Sequence, residues 1–181
     1  MFRKITFVFF VFFVFFVFVE NSNWATATKP IEGGAKKITL VEAIDDIWPR
    51  YGLNSLIAQA VIAQESGGKL DAIRFEPGQM ARAREITKNP EQQRMYSSSH
   101  CAFQIMGWWA PEYKISWSEL YQVETCTEIA ANIFKKCLEK QKNAGDKTDK
   151  IKKALICYNG NTQYADQVVA RLGRVLINSR L

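Results

Sequence analysis

The chain has 181 residues, with 24 Lys and Arg against 18 Asp and Glu, for a net charge of +6. That length predicts one domain. Hydrophobic residues make up 48% but are unevenly spread, since nine of the twelve Phe fall in the first 18 positions. The start of the chain is therefore excluded from a soluble fold, and the remainder is too mixed in composition for wholesale disorder.

Arg3 and Lys4 form a short basic start. Ile5 to Val19 is almost all Phe and Val, Glu20 ends the run, and Ala25-Thr26-Ala27 supplies a small-residue exit. This order predicts a cleavable secretory signal peptide over residues 1–27, with the mature chain periplasmic or extracellular. The alternative is a retained anchor, although a spanning helix needs about 20 apolar residues. The mature chain, 28–181, holds 22 basic and 17 acidic side chains. Residues 28–38 carry Pro30, Gly33-Gly34 and lysines and read as a flexible lead-in. Residues 39–181 form the domain.

Within it, Leu40 to Trp48 reads as a first helix, stopped by Pro49 and Gly52. Asn54 caps a second, Leu56 to about Ser66, ended by Gly67-Gly68. Its apolar stripe, Leu56, Ile57, Ala60 and Val61, continues at Gln64 and Glu65. Residues 69–100 read as polar and irregular apart from a helical stretch, Met80 to Ile86. Ser97 to Gly107 is too short for periodicity to decide between a strand with its loop and a helix. Cys126, Ile129, Ala130, Ile133, Phe134, Cys137 and Leu138 recur at helical spacing. Ile151 to Tyr158 makes another helix, stopped at Asn159-Gly160. A last helix carries Tyr164, Val168, Val169 and Leu172 on one face. The mature chain shows no strand pattern of any length. The predicted class is mainly α.

The four cysteines, Cys101, Cys126, Cys137 and Cys157, all lie in the mature part, where export permits disulfides. Their spacings match no zinc pattern and the chain has one His, so neither metal nor other cofactor is expected. Cys137 and Cys157 lie at similar heights on an antiparallel helix pair, which predicts a bridge. Cys126 and Cys137 on one continuous helix are too far apart, at about 1.5 Å per residue. Cys101–Cys126 is then the remaining pair, and four buried thiols are the alternative. His100 beside Cys101 is not a peptidase dyad, because sequence neighbours point in different directions.

Glu65 is the most informative residue. It continues an apolar stripe at a helix C-terminus, where desolvation and the helix dipole both disfavour its charge. A carboxyl held neutral in this way can protonate a glycosidic oxygen. Periodicity alone favours the plainer reading, a helix-end Glu reaching solvent past Gly67.

Three segments add context: A-Q-E-S-G at 63–67, S-S-S-H-C-A-F-Q-I-M at 97–106 and A-L-I-C-Y-N-G at 154–160. In this order they resemble the motifs of the soluble lytic transglycosylases and their goose-type lysozyme relatives, over about residues 40–175. The resemblance implies a lysozyme-like helical fold and cleavage of the β-1,4 bond between N-acetylmuramic acid and N-acetylglucosamine. It makes Glu65 the single catalytic acid/base. Ser66 matches a serine that positions substrate, and Gln104 the glutamine lining the cleft near the scissile bond. Tyr158 matches the tyrosine whose hydroxyl orients the catalytic carboxyl, and Asn159 follows it as in the family. Where the family has Gly-Leu in the second motif, this chain has Cys101-Ala102, and Cys takes positive φ less readily than Gly. Ala72 to Pro77, A-I-R-F-E-P, resembles a stretch in phage and bacterial relatives.

Trp108, Trp109, Tyr113 and Trp117 supply faces for pyranose stacking, with Trp108 or Trp109 expected against the glycan. A hydrolase would need a second carboxylate, for which Asp71, Glu76 and Glu85 are candidates. The expected partner is the peptidoglycan glycan strand, in wall recycling, at a secretion or pilus machine, or in phage. A hydrolysing muramidase and a silent glycan-binding module are the alternatives. The basic residues form no stripe suited to nucleic acid.

Overall fold

The computed structural model describes residues 38–142 and 145–178, with the side chains of 175–178 left aside. The expected signal peptide and residues 28–37 of the lead-in lie outside the described residues.

Helix α1 (Leu40–Arg50) starts at a reciprocal cap. Thr39 Oγ1 accepts from Glu42 N at 3.2 Å, and Glu42 Oε2 accepts from Thr39 N at 2.9 Å. Pro49 sits in its last turn rather than beyond it. Helix α2 (Ser55–Glu65) is capped by Asn54, whose Oδ1 accepts from Leu56 N at 2.8 Å. It ends where Gly67 and Gly68 take left-handed backbone, φ 66° and 85°.

Residues 69–107 hold most of what periodicity did not anticipate. Strand β1 (Ile73–Phe75) precedes α3 (Met80–Ile86) and α4 (Pro90–Tyr96). Strands β2 (Ser98–His100) and β3 (Ile105–Met106) complete an antiparallel sheet in the order β1-β2-β3. Ile73 pairs with His100 and Ser99 with Met106. The expectation of no strands is thus corrected. β1 is exposed at all three positions and β2 buried at all three, so neither shows an alternation. Ser97 to Gly107 is a hairpin, and 69–100 gains α4.

Helix α5 (Trp109–Glu112) is a single turn. Helices α6 (Val123–Glu139), α7 (Lys147–Asn159) and α8 (Thr162–Asn178) follow the expected stripes. The described chain is mainly helical, with α2 packed on α8, α1 on α6, and α7 between α6 and α8. Trp48 sits at the centre of the core, its ring 5.9 Å from Phe103 and 5.5 Å from Phe134. Among the described residues no helix is long and apolar enough to cross a membrane.

Both expected bridges are present. Cys101–Cys126 ties the β2–β3 hairpin to α6, with Cα atoms 6.4 Å apart, and Cys137–Cys157 ties α6 to α7 at 5.6 Å. The two disulfides fit an oxidising, exported environment. The hairpin loop takes left-handed backbone at two non-glycine residues, Cys101 (φ 59°) and Gln104 (φ 50°). Cys101 adopts the conformation for which Gly is suited, and its bridge to Cys126 holds it there.

Replacing Cys101 and Cys126 by Ser together is expected to lower unfolding free energy by about 2–4 kcal/mol in urea titration. The Cys101→Gly, Cys126→Ser pair is expected to lose about 1 kcal/mol less, because Gly adopts this φ without strain. Equal losses would show that the backbone at 101 is unstrained.

Candidate active site

α2 delivers Glu65 at its last position, and the turn after it is fixed by Ser66. Ser66 Oγ donates to Ala102 O at 2.9 Å and accepts from Gly68 N at 3.1 Å. The hydroxyl expected to meet substrate is spent joining the end of α2 to the hairpin loop. Glu65 is half-buried in a cleft of about 600 Å³. The walls near it include Arg74, Glu76, Gln104, Trp108, Tyr158 and Asn159. A second hollow of about 210 Å³ shares Glu65, Arg74, Asn159 and Asn161 and is otherwise lined by Gln64, Gln163, Tyr164 and Gln167. Glu65 therefore stands where an aromatic, partly apolar groove meets an amide-rich one.

Burial pushes the Glu65 carboxyl above its ordinary value of 4.5, and the charge of Glu76 adds to this. Tyr164, Arg74 and Asn159 oppose it by favouring the charged form. Asn159 Nδ2 donates to Glu65 Oε1 over a long 3.4 Å. Tyr164 Oη is close enough to act on the carboxyl but is buried without a hydrogen bond of ordinary geometry.

Tyr158 differs from its expected role. Its hydroxyl donates to Phe103 O at 3.0 Å, tying α7 to the hairpin loop instead of orienting Glu65. Gln104 lines the cleft, yet its amide serves the loop. Its Nε2 donates to Cys101 O at 3.0 Å and its Oε1 accepts from Ser99 Oγ at 2.8 Å. Trp108 and Trp109 both line the cleft, ring centroids 4.6 Å apart. The Arg82 guanidinium covers one face of Trp108 at 3.5 Å. Of the other two expected aromatics, Trp117 packs edge-on against Tyr96, and Tyr113 donates its hydroxyl to Asn132 Oδ1 at 2.9 Å.

Of the three candidate second carboxylates, Glu76 lines the cleft and acts on Glu65. It is engaged by Arg74, whose Nε donates to Oε1 at 2.5 Å. Arg74, which the sequence reading did not single out, comes from the A-I-R-F-E-P stretch and lies on a strand too short to recognise. Tyr164 was read as part of a core stripe, and a tyrosine one turn past the Asn-Gly stop was its only mark.

His100 is fully buried. Its Nε2 lies 2.9 Å from Met95 O and its Nδ1 2.8 Å from the Tyr121 hydroxyl. The carbonyl can only accept, so Nε2 carries the proton and Nδ1 accepts from Tyr121. Burial pulls its pKa down, and with Cys101 in a disulfide no thiol–imidazole pair exists here.

Comparison with family models, curated proteins and solved structures returned no match.

A carboxyl whose pKa is raised by folding opposes folding once ionised. Stability from this group is present below its unfolded value and is lost as pH rises through the folded value. Glu65→Gln is therefore expected to be more stable than the parent near pH 8, with the gap closing toward pH 4, in urea titrations across that range. A pH-independent gap would mean that Glu65 is not desolvated.

Proposed function

We propose that this chain is an exported lytic transglycosylase of lysozyme-like fold that cuts peptidoglycan between N-acetylmuramic acid and N-acetylglucosamine. The observation that carries the reading is the half-buried Glu65 carboxyl, biased toward its neutral form, at the junction of two grooves lined by aromatic and amide side chains. Tryptophan faces suit the apolar faces of pyranose rings. Carboxamides suit hydroxyl and acetamido groups, which both donate and accept.

In this reading Glu65 donates its proton to the glycosidic oxygen as the bond from the muramoyl C1 to that oxygen breaks. The oxygen leaves as the 4-hydroxyl of N-acetylglucosamine. The Glu65 carboxylate then takes the proton of the muramoyl 6-hydroxyl, whose oxygen closes onto C1. The product is a 1,6-anhydro sugar, no water is consumed, and Glu65 ends protonated. One carboxyl serves as acid and then base. Ser66, Gln104 and Tyr158 act by holding the loop and helices around it, while Trp108, Trp109 and Asn159 meet the glycan. The glycan strand is the partner, whether for wall turnover or for a secretion or pilus machine.

Glu76 supports a second reading, a hydrolysing muramidase, because a second carboxylate lining the same cleft could activate water. Its Oε1 is already engaged by Arg74 Nε, which favours the transglycosylase.

Purified peptidoglycan digested with residues 28–181 is expected to release muropeptides lighter by one water and without a reducing end, as read by mass spectrometry. Glu65→Gln is expected to lower the rate by about 10²–10⁴-fold, and Glu76→Gln to leave the product anhydro. Reducing-end products abolished by Glu76→Gln would establish the hydrolase. Sacculus binding with no products would favour a silent glycan-binding module.

A further inference from the structure

We infer that Arg171 is a specificity-determining positioning residue. Through Gln64 it turns the Gln167 carboxamide so that the amide-rich hollow offers N–H and not oxygen. The hollow therefore selects an N-acetylated sugar, bound through its acyl oxygen, over a de-N-acetylated one. The inference rests on the reading of the chain as a glycan-cleaving enzyme and names what its second hollow selects.

Gln64 is the residue before Glu65 at the end of α2. Gln167 and Arg171 stand at i and i+4 on α8, and both reach across to Gln64. Arg171 Nε donates to Gln64 Oε1 at 2.6 Å. A guanidinium has donors only, so this bond fixes which end of the Gln64 amide is oxygen. Gln64 Nε2 then donates to Gln167 Oε1 at 2.8 Å. With its oxygen taken, Gln167 has Nε2 left for the hollow that it lines. Asn161 is polarised in the same way, because its Oδ1 accepts from Gln163 N at 2.8 Å and its Nδ2 remains. The Tyr164 hydroxyl, in a side chain 6% exposed, also lines the hollow with no hydrogen bond of ordinary geometry. A hydroxyl turns to either role, so it does not undo the polarity. No carboxylate among the described residues pairs with Arg171, and its charge is not spent elsewhere.

The occupant is neutral. Glu65 and Arg74 border the hollow with opposite charges, and Arg74 Nε is engaged by Glu76. An acidic group would meet Glu65 whenever that carboxyl ionised. At about 210 Å³ the hollow is smaller than the ~300–1,000 Å³ of sites that enclose a drug-sized ligand, which suits one sugar residue and its substituent. An acetamido oxygen accepts from the polarised amides. The protonated amine left by deacetylation has donors only, and it would leave N–H facing N–H.

The test compares kcat/KM on N-acetylated peptidoglycan with kcat/KM on the same material after chemical de-N-acetylation. General changes in rate cancel in that ratio. The parent is expected to favour the acetylated form by about tenfold or more. Arg171→Leu frees the Gln64 amide to turn over and should lower the ratio by about fivefold or more. Arg171→Lys keeps a donor-only cation and should retain most of it. Gln167→Glu offers oxygen alone and should reverse the preference. A merely structural Arg171 would change rate and Tm but leave the ratio in place, and that result overturns the inference. So does a parent that cuts both substrates equally. An NMR titration of the parent needs no variant. The Gln167 side-chain amide should shift with the N-acetylglucosamine tetramer and not with the glucosamine tetramer, and equal shifts or none overturn the inference. If the parent cuts no glycan, the proposed function fails, while this titration still decides what the hollow accepts.

Discussion

Keeping one carboxyl partly out of water at the end of α2 is the constraint on which the rest of the structure depends. Desolvation raises the Glu65 pKa, yet the side chain needs partners when it ionises. Every element that approaches it answers one of those two demands. The packing of α2 on α8 and the hairpin loop leave Glu65 half-buried. Arg74, Asn159 and Tyr164 favour the charged form without fully ion-pairing it. A direct salt bridge would hold Glu65 ionised and end its use as an acid. Arg74 is instead committed to Glu76, and its charge reaches Glu65 only at second hand.

The hairpin loop is where that arrangement is held together. Ser66 and Gln104, expected at the substrate, and Tyr158, expected to orient Glu65, all spend their polar groups on this loop or its carbonyls. Phe103, at the loop tip, stacks on Trp48 and anchors it in the core. Its backbone passes through left-handed φ at Cys101 and Gln104, which costs about 1–3 kcal/mol per non-glycine residue. The Cys101–Cys126 bridge and complete burial offset that cost, so a covalent tie stands where glycine's freedom is the usual solution. Gly107 is constrained in another way: a Cβ there would run into the Met95 carbonyl and the His100 ring.

How legible this was in the sequence follows from length and period. α1, α2, α6, α7 and α8 carry stripes or caps several turns long, and the boundaries expected for the first four fall within three residues of those observed, except that α7 starts at Lys147 and not Ile151. The Cys137–Cys157 bridge was legible because the two lie at similar heights on an antiparallel helix pair, and Cys101–Cys126 followed only as the pair left over. The sheet was not legible: strands of two or three residues offer no period, and β2 buries Ser98, Ser99 and His100 together. Glu65 could be located because its stripe and its motif agree. That the Tyr158 hydroxyl would bond the Phe103 carbonyl and not Glu65 could not be read, since only the fold brings the hairpin loop against α7.

On the proposed function, the two grooves have different tasks. The aromatic side joins Trp108 and Trp109 to Ile105 and Ile133, with Lys136 and Lys140 at its rim. The other side is built from carboxamides and is held by contacts across α2 and α8, Gln64 Nε2 to Gln167 Oε1 at 2.8 Å and Arg171 Nε to Gln64 Oε1 at 2.6 Å. A stacked sugar is held by area, which tolerates sliding. A sugar held by amides is held by direction, which does not. With Glu65 at the junction, the amide side would set the register of the strand relative to the acid, and the aromatic side would supply affinity. In that reading the position of cleavage would be set by residues of α2 and α8, the helices that line the groove beside Glu65. That places orientation of the acid and orientation of its substrate under the same pair of helices.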